Sequence, residues 1–400
     1  MTLDNYRDFF YIIIVQKKGR FFLGSPFCPF YVIFLTFVAI SPLLHSENSL
    51  ILRILVQTIY YIPPMIKEAI VQAAAKKNLS SEVAEAVMDE IMGGKASDIQ
   101  IAAFLTAMSV KGETIEEITA CAIGMRKHCI RLLHNTECLE IVGTGGDKSN
   151  TFNISTTTAI VTSSCGIPVA KHGNRAASSR SGSADVLNSL GVKLDISPEH
   201  SLKILENINL CFLFAQNYHL SMKYVAPVRK ELGIRTIFNI LGPLVNPAGA
   251  SMQLLGVYEK ELLKPMAQVL LNLGVKSGMV VFGQDGLDEI SMSAPTSICE
   301  FIEGQLKDYE ITPEQFGFKR CKKEELVGGT PEENAKITTD ILSGVRGPKF
   351  DTVLLNSAAA IHIAKPSLSI EDAIKVATES IDSGKALEQL KNFIKLSNES

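Results

Sequence analysis

The feature that most constrains the fold is an alternation of short apolar segments with helical patterns, which begins after Cys138. Helix-like stretches at 183–190 and 261–273 lie between the apolar segments, and longer ones follow at 332–342 and 370–395. Strands that alternate with helices are typical of an α/β domain built around a central, largely parallel sheet. The segments expected to form strands are residues 139–142, 167–170, 210–215, 254–258 and 279–282.

Residues 65–136 have a purely helical pattern instead. Ser97 with Gln100, and Thr114 with Glu117, have the spacing of capping boxes, in which side chains satisfy the first N–H groups of a helix. Apolar residues then recur at helical spacing. We therefore expect a small all-helical domain at 65–136, packed on a larger α/β domain at 137–400. Segment 219–233 is helical inside the α/β part and could fold back onto the helical domain.

Residues 1–64 differ in composition from the rest of the chain. Positions 21–40 form an uncharged, mostly apolar run after several basic residues, which suits a membrane span or signal anchor. Pro26, Pro29 and Gly24 interrupt that run. Three interpretations stay open: a membrane anchor, a targeting segment, or an upstream stretch outside the functional protein, with translation starting at Met65. We favour the last.

The balance of charges limits the class of partner. The formal net charge is −3, so no basic excess favours a nucleic-acid partner. The eight cysteines contain no C-x-x-C pair and no zinc-type spacing. Several of them lie in apolar runs, where cysteine packs as a small hydrophobic residue. We expect a cytoplasmic enzyme with small-molecule substrates, and no membrane partner unless residues 1–64 are an anchor.

A glycine-rich loop follows the first predicted strand, in the sequence IVGTGGDKSNTFNIST at 141–156. Glycines let main-chain N–H groups approach a ligand together, and a helix beginning near Ser155 would add further unpaired N–H groups. The spacing is neither that of a P-loop nor G-x-G-x-x-G. The loop predicts a phosphate or pyrophosphate site, with a plain glycine turn before a capped helix as the alternative.

Two further segments carry polar groups in similar positions. Residues 171–185, KHGNRAASSRSGSAD, place cations, an amide and hydroxyls between an apolar run and a helix, which indicates a second anion site. Asp288 and Glu289 follow the strand predicted at 279–282 and could bind one or two magnesium ions together with a diphosphate. A ligand with phosphates at two ends would explain both loops. Taken alone, an Asp-Glu pair is more often a solvated surface turn.

Together these segments resemble the anthranilate phosphoribosyltransferases over residues 65–393. The resemblance is carried by GTGGD at 143–147, NIST at 153–156, KHGNRAASSRSGSAD at 171–185, RKELGIRTIFNILGPLVNP at 229–247 and DEIS at 288–291. Segment 219–223, HLSMK, lacks the proline or alanine expected after the histidine, so the wall of the aromatic pocket is the least well matched part.

The resemblance implies a magnesium-dependent homodimer of L-tryptophan biosynthesis that joins anthranilate to phosphoribosyl pyrophosphate (PRPP) and releases pyrophosphate. Anthranilate would contact Gly143, Asn174 and Arg229. Magnesium, as two ions per subunit, would be held by Ser155, Asp288 and Glu289. The residues implied to contact PRPP are Gly143, Gly146, Asp147, Thr151, Asn153, Ile154, Ser155, Thr156, Lys171, His172, Gly173, Asn174, Arg175, Ala176, Ala177, Ser178, Ser179 and Ser183.

The chemistry of such a transfer agrees with the residue types. Fixed donors and a metal can neutralise the leaving pyrophosphate, so a strong nucleophile is unnecessary, and we find no nucleophile–base pair in the sequence. The guanidinium of Arg229 matches the carboxylate of anthranilate. His172 could act as a general base, but we expect it to position a substrate.

Two alternatives remain at this point. A pyrimidine-nucleoside phosphorylase of the same architecture would also use a glycine-rich phosphate loop, but the KHGNR and NILGPLVNP segments disfavour it. A non-catalytic homologue that binds nucleic acid would need a basic surface and no metal site. The near-neutral charge and the Asp288–Glu289 pair disfavour that class.

Overall fold

The structure is a computed structural model that describes residues 65–176 and 179–399. Residues 1–64, for which three interpretations were open, therefore lie outside the described part of the chain. Two residues predicted to contact PRPP, Ala177 and Ser178, lie outside it as well. Within the described ranges, no helix combines the length and apolar character needed to cross a bilayer.

The first described elements form a helical bundle. Both predicted capping boxes are present, at Ser97 with Gln100 and at Thr114 with Glu117. The bundle buries large apolar side chains such as Met88 and Phe104 against one another, which is where most of the stability of an amphipathic helix arises. Its helices are α1 (Met65–Ala74), α2 (Ser81–Met92), α3 (Asp98–Lys111) and α4 (Ile115–Lys127).

A seven-stranded sheet forms the centre of the larger α/β part, in the order β3-β2-β1-β4-β5-β6-β7. Strands β3, β2, β1, β4 and β5 are parallel, as predicted, and β6 and β7 extend the sheet as an antiparallel edge. The strands are β1 (Leu139–Gly143), β2 (Val169–Gly173), β3 (Leu210–Phe214), β4 (Met252–Gly256), β5 (Ser277–Gly283), β6 (Thr296–Ile302) and β7 (Gln305–Ile311).

Helices pack against the sheet. One apolar cluster includes Ile141 of β1 and Met279 of β5, and a second is shared by the sheet, through Leu255 of β4, and the helical bundle, through Phe104. The bundle is thus packed on the α/β part, as the sequence predicts. The remaining helices are α5 (Ile154–Ser164), α6 (Ser183–Ser189), α7 (Pro198–Ile208), α8 (Ala215–Tyr218), α9 (Ala226–Leu232), α10 (Phe238–Leu241), α11 (Leu263–Asn272), α12 (Pro331–Leu342), α13 (Pro348–Ala364), α14 (Ile370–Asp382) and α15 (Lys385–Asn398).

The strand order reverses direction between β1 and β4. The chain leaves β1 toward β2 and β3 on one side, and then returns to add β4 and β5 on the other side. In open α/β sheets, ligands bind beyond the carboxyl ends of the strands at such a switch point. Gly143 and Gly256, paired at the ends of β1 and β4, mark this position.

Several elements differ from the sequence prediction. The antiparallel strands β6 and β7 and the buried helix α13 were not predicted. The stretch predicted as one helix at 370–395 is two helices, because the chain turns at Gly384 with a φ of 80°. Segment 219–233 consists of a 3-10 turn (Leu220–Tyr224) and α9, and Val228 of α9 is buried in the same apolar cluster as Phe104 of the bundle.

Candidate active site

The glycine loop, residues 143–150, follows β1 at the switch point. Asp288 crosses the ends of β1 and β4, and its Oδ2 accepts a hydrogen bond of 2.7 Å from the Gly145 N–H. A Cβ atom added to Gly143 would lie 2.3 Å from Asp288 Oδ2, and one added to Gly256 would lie 1.6 Å from the Asp288 carbonyl oxygen. Both strands must therefore end in glycine for the acidic segment to lie there.

Glu289 is joined to the start of helix α5. Its Oε1 accepts a 3.2 Å hydrogen bond from the Ser155 N–H, in the first turn of that helix. Lys171, in the middle of β2, donates from Nζ to Ser155 Oγ at 3.2 Å and to the Ile141 carbonyl at 2.6 Å. The sequence analysis assigned these residues to separate motifs, and the structure brings them into one hydrogen-bonded group.

The carboxyl groups at this position have an unusual electrostatic environment. Burial, with the charge of Asp147 next, raises the pKa of Asp288, and burial with the charge of Asp288 next raises the pKa of Glu289. Burial lowers the pKa of Lys171, although three nearby carboxyl groups, led by Glu140, oppose that effect. A site that destabilises two ionised carboxylates favours the binding of a cation.

Several polar atoms around the glycine loop have no partner within the described residues. The buried side-chain atoms Thr144 Oγ1, Asp147 Oδ2, Ser149 Oγ and Thr156 Oγ1 make no hydrogen bond. The main-chain N–H of Asp147 is likewise without an acceptor among these residues. Buried polar groups are normally satisfied, so this concentration of unpaired groups indicates a ligand-binding position.

The second predicted anion segment continues from β2 into what we call the serine loop, the described residues 174–176 and 179–182. Asp185 closes it: its carboxylate accepts from the Ala176 N–H at 2.8 Å and the Gly182 N–H at 3.0 Å, and pairs with Arg175 at 3.0 Å. The guanidinium of Arg175 and the amide of Ala176 are therefore engaged within the loop. Ser183 Oγ donates to the Asn174 carbonyl at 3.3 Å, beside Gly173.

Asn153, which precedes α5 just after the glycine loop, is hydrogen-bonded to the serine loop. Its Nδ2 donates to the Ser181 carbonyl at 3.1 Å, and its Oδ1 accepts from Ser181 Oγ at 3.2 Å and from Asn334 Nδ2 at 2.9 Å. Thr151 forms a β-bridge with Val327. The start of α5, which follows the glycine loop by a few residues, thus lies beside the serine loop, as a single ligand near both loops would require.

His172 points to the opposite face of β2 from Lys171, since adjacent strand residues alternate. Its ring centroid lies 5.0 Å from that of His219. Burial, with His219 next, lowers the pKa of His172 to about 3, and burial lowers the pKa of His219 to about 4. His172 Nε2 is buried and has no hydrogen-bond partner within the described residues.

Arg229 lies on α9, and its side chain makes no hydrogen bond or ion pair within the described residues. Its Cζ is 5.4 Å from the centroid of the Phe238 ring. Partial burial lowers its pKa. A half-buried guanidinium without a carboxylate can receive an anionic ligand, although no contact joins Arg229 to the other predicted site residues.

Glu140 was not identified from the sequence. Its carboxylate, fully buried on β1, accepts from the His172 N–H at 3.1 Å and also contacts Asn246 Nδ2. Burial raises its pKa to about 8. The signal was available, because a carboxylate inside the apolar run of the first strand is unusual.

Comparison with known proteins agrees with this architecture. The family described as "Glycosyl transferase family, helical bundle domain" matches residues 67–129, and "Glycosyl transferase family, a/b domain" matches residues 135–387. The fold and site thus define a glycosyl transferase with both domains.

Individual relatives narrow this class. An anthranilate phosphoribosyltransferase of Lachnoclostridium phytofermentans is 63% identical over 334 residues, which are 84% of this chain and 99% of the relative. The crystal structure of that enzyme from Thermus thermophilus has 42% sequence identity and a TM-score of 0.79, and covers 83% of this chain and 99% of its own. The Saccharomyces cerevisiae enzyme in complex with PRPP and Mg has 30% identity and a TM-score of 0.77, and covers 84% of this chain and 99% of its own. The chain belongs to the anthranilate phosphoribosyltransferase family.

Proposed function

We propose that this chain transfers the phosphoribosyl group of PRPP to the amine of anthranilate, giving N-(5-phosphoribosyl)anthranilate and pyrophosphate in L-tryptophan biosynthesis. The observation that carries the proposal is the hydrogen-bonded convergence of four elements at the switch point. Gly145 donates a hydrogen bond to Asp288, Ser155 donates one to Glu289, and Lys171 donates one to Ser155. Family membership supports this function over the phosphorylase and the nucleic-acid-binding alternatives.

The reaction breaks the bond from ribose C1 to the pyrophosphate oxygen and forms a bond from C1 to the anthranilate nitrogen, which loses a proton. Positive charge develops on the sugar and negative charge on the leaving group. The unpaired N–H and hydroxyl groups of the glycine loop and α5 are fixed donors for the leaving group. The nearby ammonium of Lys171 adds a buried positive charge.

The residues present fit a magnesium site. Asp288 and Glu289 each accept one protein hydrogen bond, which leaves further carboxylate oxygens available, and hard oxygen ligands suit Mg²⁺. We infer that Ser155, Asp288 and Glu289 hold magnesium, with two ions per subunit. When bound, the metal would supply positive charge that neutralises the pyrophosphate. The solved yeast enzyme in complex with PRPP and Mg supports a role for Mg²⁺ in this family.

Anthranilate would be oriented by Arg229, Asn174 and Gly143. The guanidinium of Arg229 can bind the substrate carboxylate. His172, with its pKa lowered to about 3, is too weak a base to accept a proton near neutral pH, so its role is to position a substrate. Aromatic amines lose a proton readily once the new bond has formed, and no protein base is required.

We further propose a cytoplasmic homodimer. Residues Val71 of α1 and Ile99 and Val110 of α3 are large apolar side chains that are 69%, 82% and 70% exposed in the single chain, which is typical of a surface that packs against another subunit. The functional protein would consist of the helical domain at 65–136, with 219–233 folded onto it, and the α/β domain at 137–400.

The proposed function is tested by mixing purified protein with PRPP, anthranilate and Mg²⁺ and following the loss of anthranilate fluorescence. We expect loss of fluorescence that requires all three components. Replacing PRPP with ribose 1-phosphate and anthranilate with a pyrimidine base tests the phosphorylase alternative. Turnover of the second pair without the first would reject the proposal.

A further inference from the structure

Arg235 connects the glycine loop to two other parts of the molecule. It lies between α9 and α10, and its Nη2 donates to the Gly146 carbonyl at 2.8 Å. Its Nη1 pairs with Glu259 at 2.9 Å, and its Cζ lies 3.8 Å from the centroid of the Tyr258 ring, just beyond β4. The carbonyl of Arg235 itself accepts from Ser109 Oγ of helix α3 at 3.0 Å.

The bond to Gly146 determines the direction of the next peptide group. In a trans peptide the carbonyl of one residue and the N–H of the next point in opposite directions. With the Gly146 carbonyl held by Arg235, the Asp147 N–H points away from Arg235, and no acceptor among the described residues binds it. Gly145, Gly146 and Lys148 have φ values of 71°, 76° and 59°. Successive N–H groups in such a backbone form a concavity that binds anions.

We propose that Arg235 is a positioning residue for PRPP binding, which orients the N–H groups of the glycine loop toward the pyrophosphate and ties that loop to the helical bundle through Ser109. This inference rests on the proposed function. Arg235 acts on the carbonyl side of the loop, and the ligand binds on the N–H side. A guanidinium on that carbonyl also neutralises the partial negative charge that would otherwise lie beside an anionic substrate.

The variant R235M tests the inference, since methionine keeps part of the apolar stem and removes the donors. The side chains of Arg235 and Glu259 are 42% and 56% exposed, so the substitution leaves no buried charge and the protein should fold. We expect the Kd for PRPP, measured by isothermal titration with Mg²⁺ present, to rise about tenfold, which corresponds to about 1.4 kcal/mol. At saturating PRPP, the KM for anthranilate should stay unchanged.

Arg346 offers a matched control. Its Cζ lies 4.1 Å from the centroid of the Phe350 ring and its Nη2 pairs with Asp382 at 2.5 Å, so it has the same kinds of contact away from the glycine loop. The variant R346M should bind PRPP as the unmodified protein does. If R235M does not fold, R235K replaces it, because an ammonium keeps the charge but lacks the planar fork that bonds Gly146 and Glu259 together; we then expect a rise in Kd of about threefold.

The dependence of Kd on salt separates positioning from direct contact. A charge within a Debye length of the phosphates adds to the salt dependence of binding, so the variant for this test must keep the local net charge. The double variant R235M/E259Q removes the paired charges together. We expect R235M/E259Q to weaken binding with an unchanged salt slope. An unchanged Kd, a rise shared with R346M, or a reduced slope would overturn the inference. Unmodified protein that binds no PRPP would instead overturn the proposed function.

Discussion

At the scale of single residues, Lys171 is a buried cation that lies near three carboxyl groups. It is 3% exposed, and Glu140, Glu289 and Asp288 all favour its charged form. Burying an ion is costly unless it is paired and hydrogen-bonded. Burial is the larger effect, because it lowers the pKa of Lys171 and raises those of Asp288 and Glu289, and the neighbouring carboxyl groups offset only part of the effect on Lys171. Hydrogen bonds from the Gly145 and Ser155 N–H groups hold the acidic pair in place.

Arg229 gives the most selective prediction at this scale. In R229A we expect the KM for anthranilate to rise by about ten- to a hundredfold, since losing a charge-assisted hydrogen bond costs roughly 1.5–3 kcal/mol. The KM for PRPP should stay unchanged in steady-state assays. The neighbouring exposed Lys230 is the control, and K230A should leave both constants unchanged. Equal losses for both substrates in R229A would reject the assignment.

The acidic pair gives a prediction about metal dependence. In the double variant D288N/E289Q, the Mg²⁺ concentration for half-maximal activity should rise by about tenfold or more, since even the partners of metal ligands contribute about 10–100-fold. The control is D308N on strand β7, whose carboxylate is paired with Lys264 at the protein surface. A magnesium titration that is identical in all three proteins would refute the metal role of the pair.

At the scale of helices and strands, a buried ion pair between Lys111 and Glu117 stabilises the helical bundle. Glu117 accepts from Lys111 Nζ at 2.7 Å, the Leu79 N–H at 2.7 Å and the Thr114 N–H at 2.8 Å, and the two charged side chains are 0% and 2% exposed. The capping box of α4 thus also anchors α3 and the segment before α2. A single carboxylate thus accepts hydrogen bonds from three donors, of which Lys111 Nζ also donates to Asn78 Oδ1 at 3.2 Å and to the Gly112 carbonyl at 2.7 Å.

Removing this carboxylate should destabilise the bundle strongly. Deleting one partner of a buried ion pair costs about 3–5 kcal/mol, because the other charge remains buried. We expect E117A to lower the free energy of unfolding by about that amount in urea denaturation. Glu116, one residue earlier and exposed, is the control, and E116A should unfold almost as the unmodified protein does. Matching urea midpoints for the two variants would show that the pair contributes little.

Some strands and helices of the fold could be predicted from the sequence, and others could not. The parallel strands and capping boxes follow from local patterns, because continuous apolar runs and Ser/Thr-x-x-Glu/Gln spacing identify them directly. Helix α13 was missed because it is buried over most of its length, and so lacks the apolar stripe of a surface helix. Strand β7 was missed because most of its side chains are exposed.

The motifs of the candidate site could be predicted from the sequence, but their arrangement in space could not. Its glycines, amides and carboxylates were identified from residue types that bind phosphate and magnesium. The bonds from Ser155 to Glu289 and from Arg235 to Gly146 join residues 134 and 89 positions apart, and no local pattern reports such contacts. Arg235 was missed for this reason, whereas Glu140 carried a local signal, a carboxylate inside an apolar run, that was overlooked.

At the scale of the whole molecule, the two family matches, at residues 67–129 and 135–387, and the candidate site all lie after position 64. The described structure begins with α1 at Met65. The contacts from which the proposed activity is derived all lie within residues 65–399.

A protein that begins at Met65 should keep full activity. We expect its kcat and both KM values, and its soluble yield, to equal those of the full chain, since every residue assigned to substrate or metal lies after position 142. The comparison uses the two proteins purified in parallel and the anthranilate fluorescence assay. Lost turnover or precipitation of the shorter protein would show that the N-terminal segment belongs to the functional unit.

The central claim is that the glycine loop, the serine loop and the Asp288–Glu289 pair form one site for a single PRPP molecule. A crystal structure of the protein with PRPP and Mg²⁺ tests it most directly. We predict one PRPP in contact with both loops and a metal ion on the acidic pair. PRPP bound to one loop alone, with the other facing a separate cavity, would contradict the account.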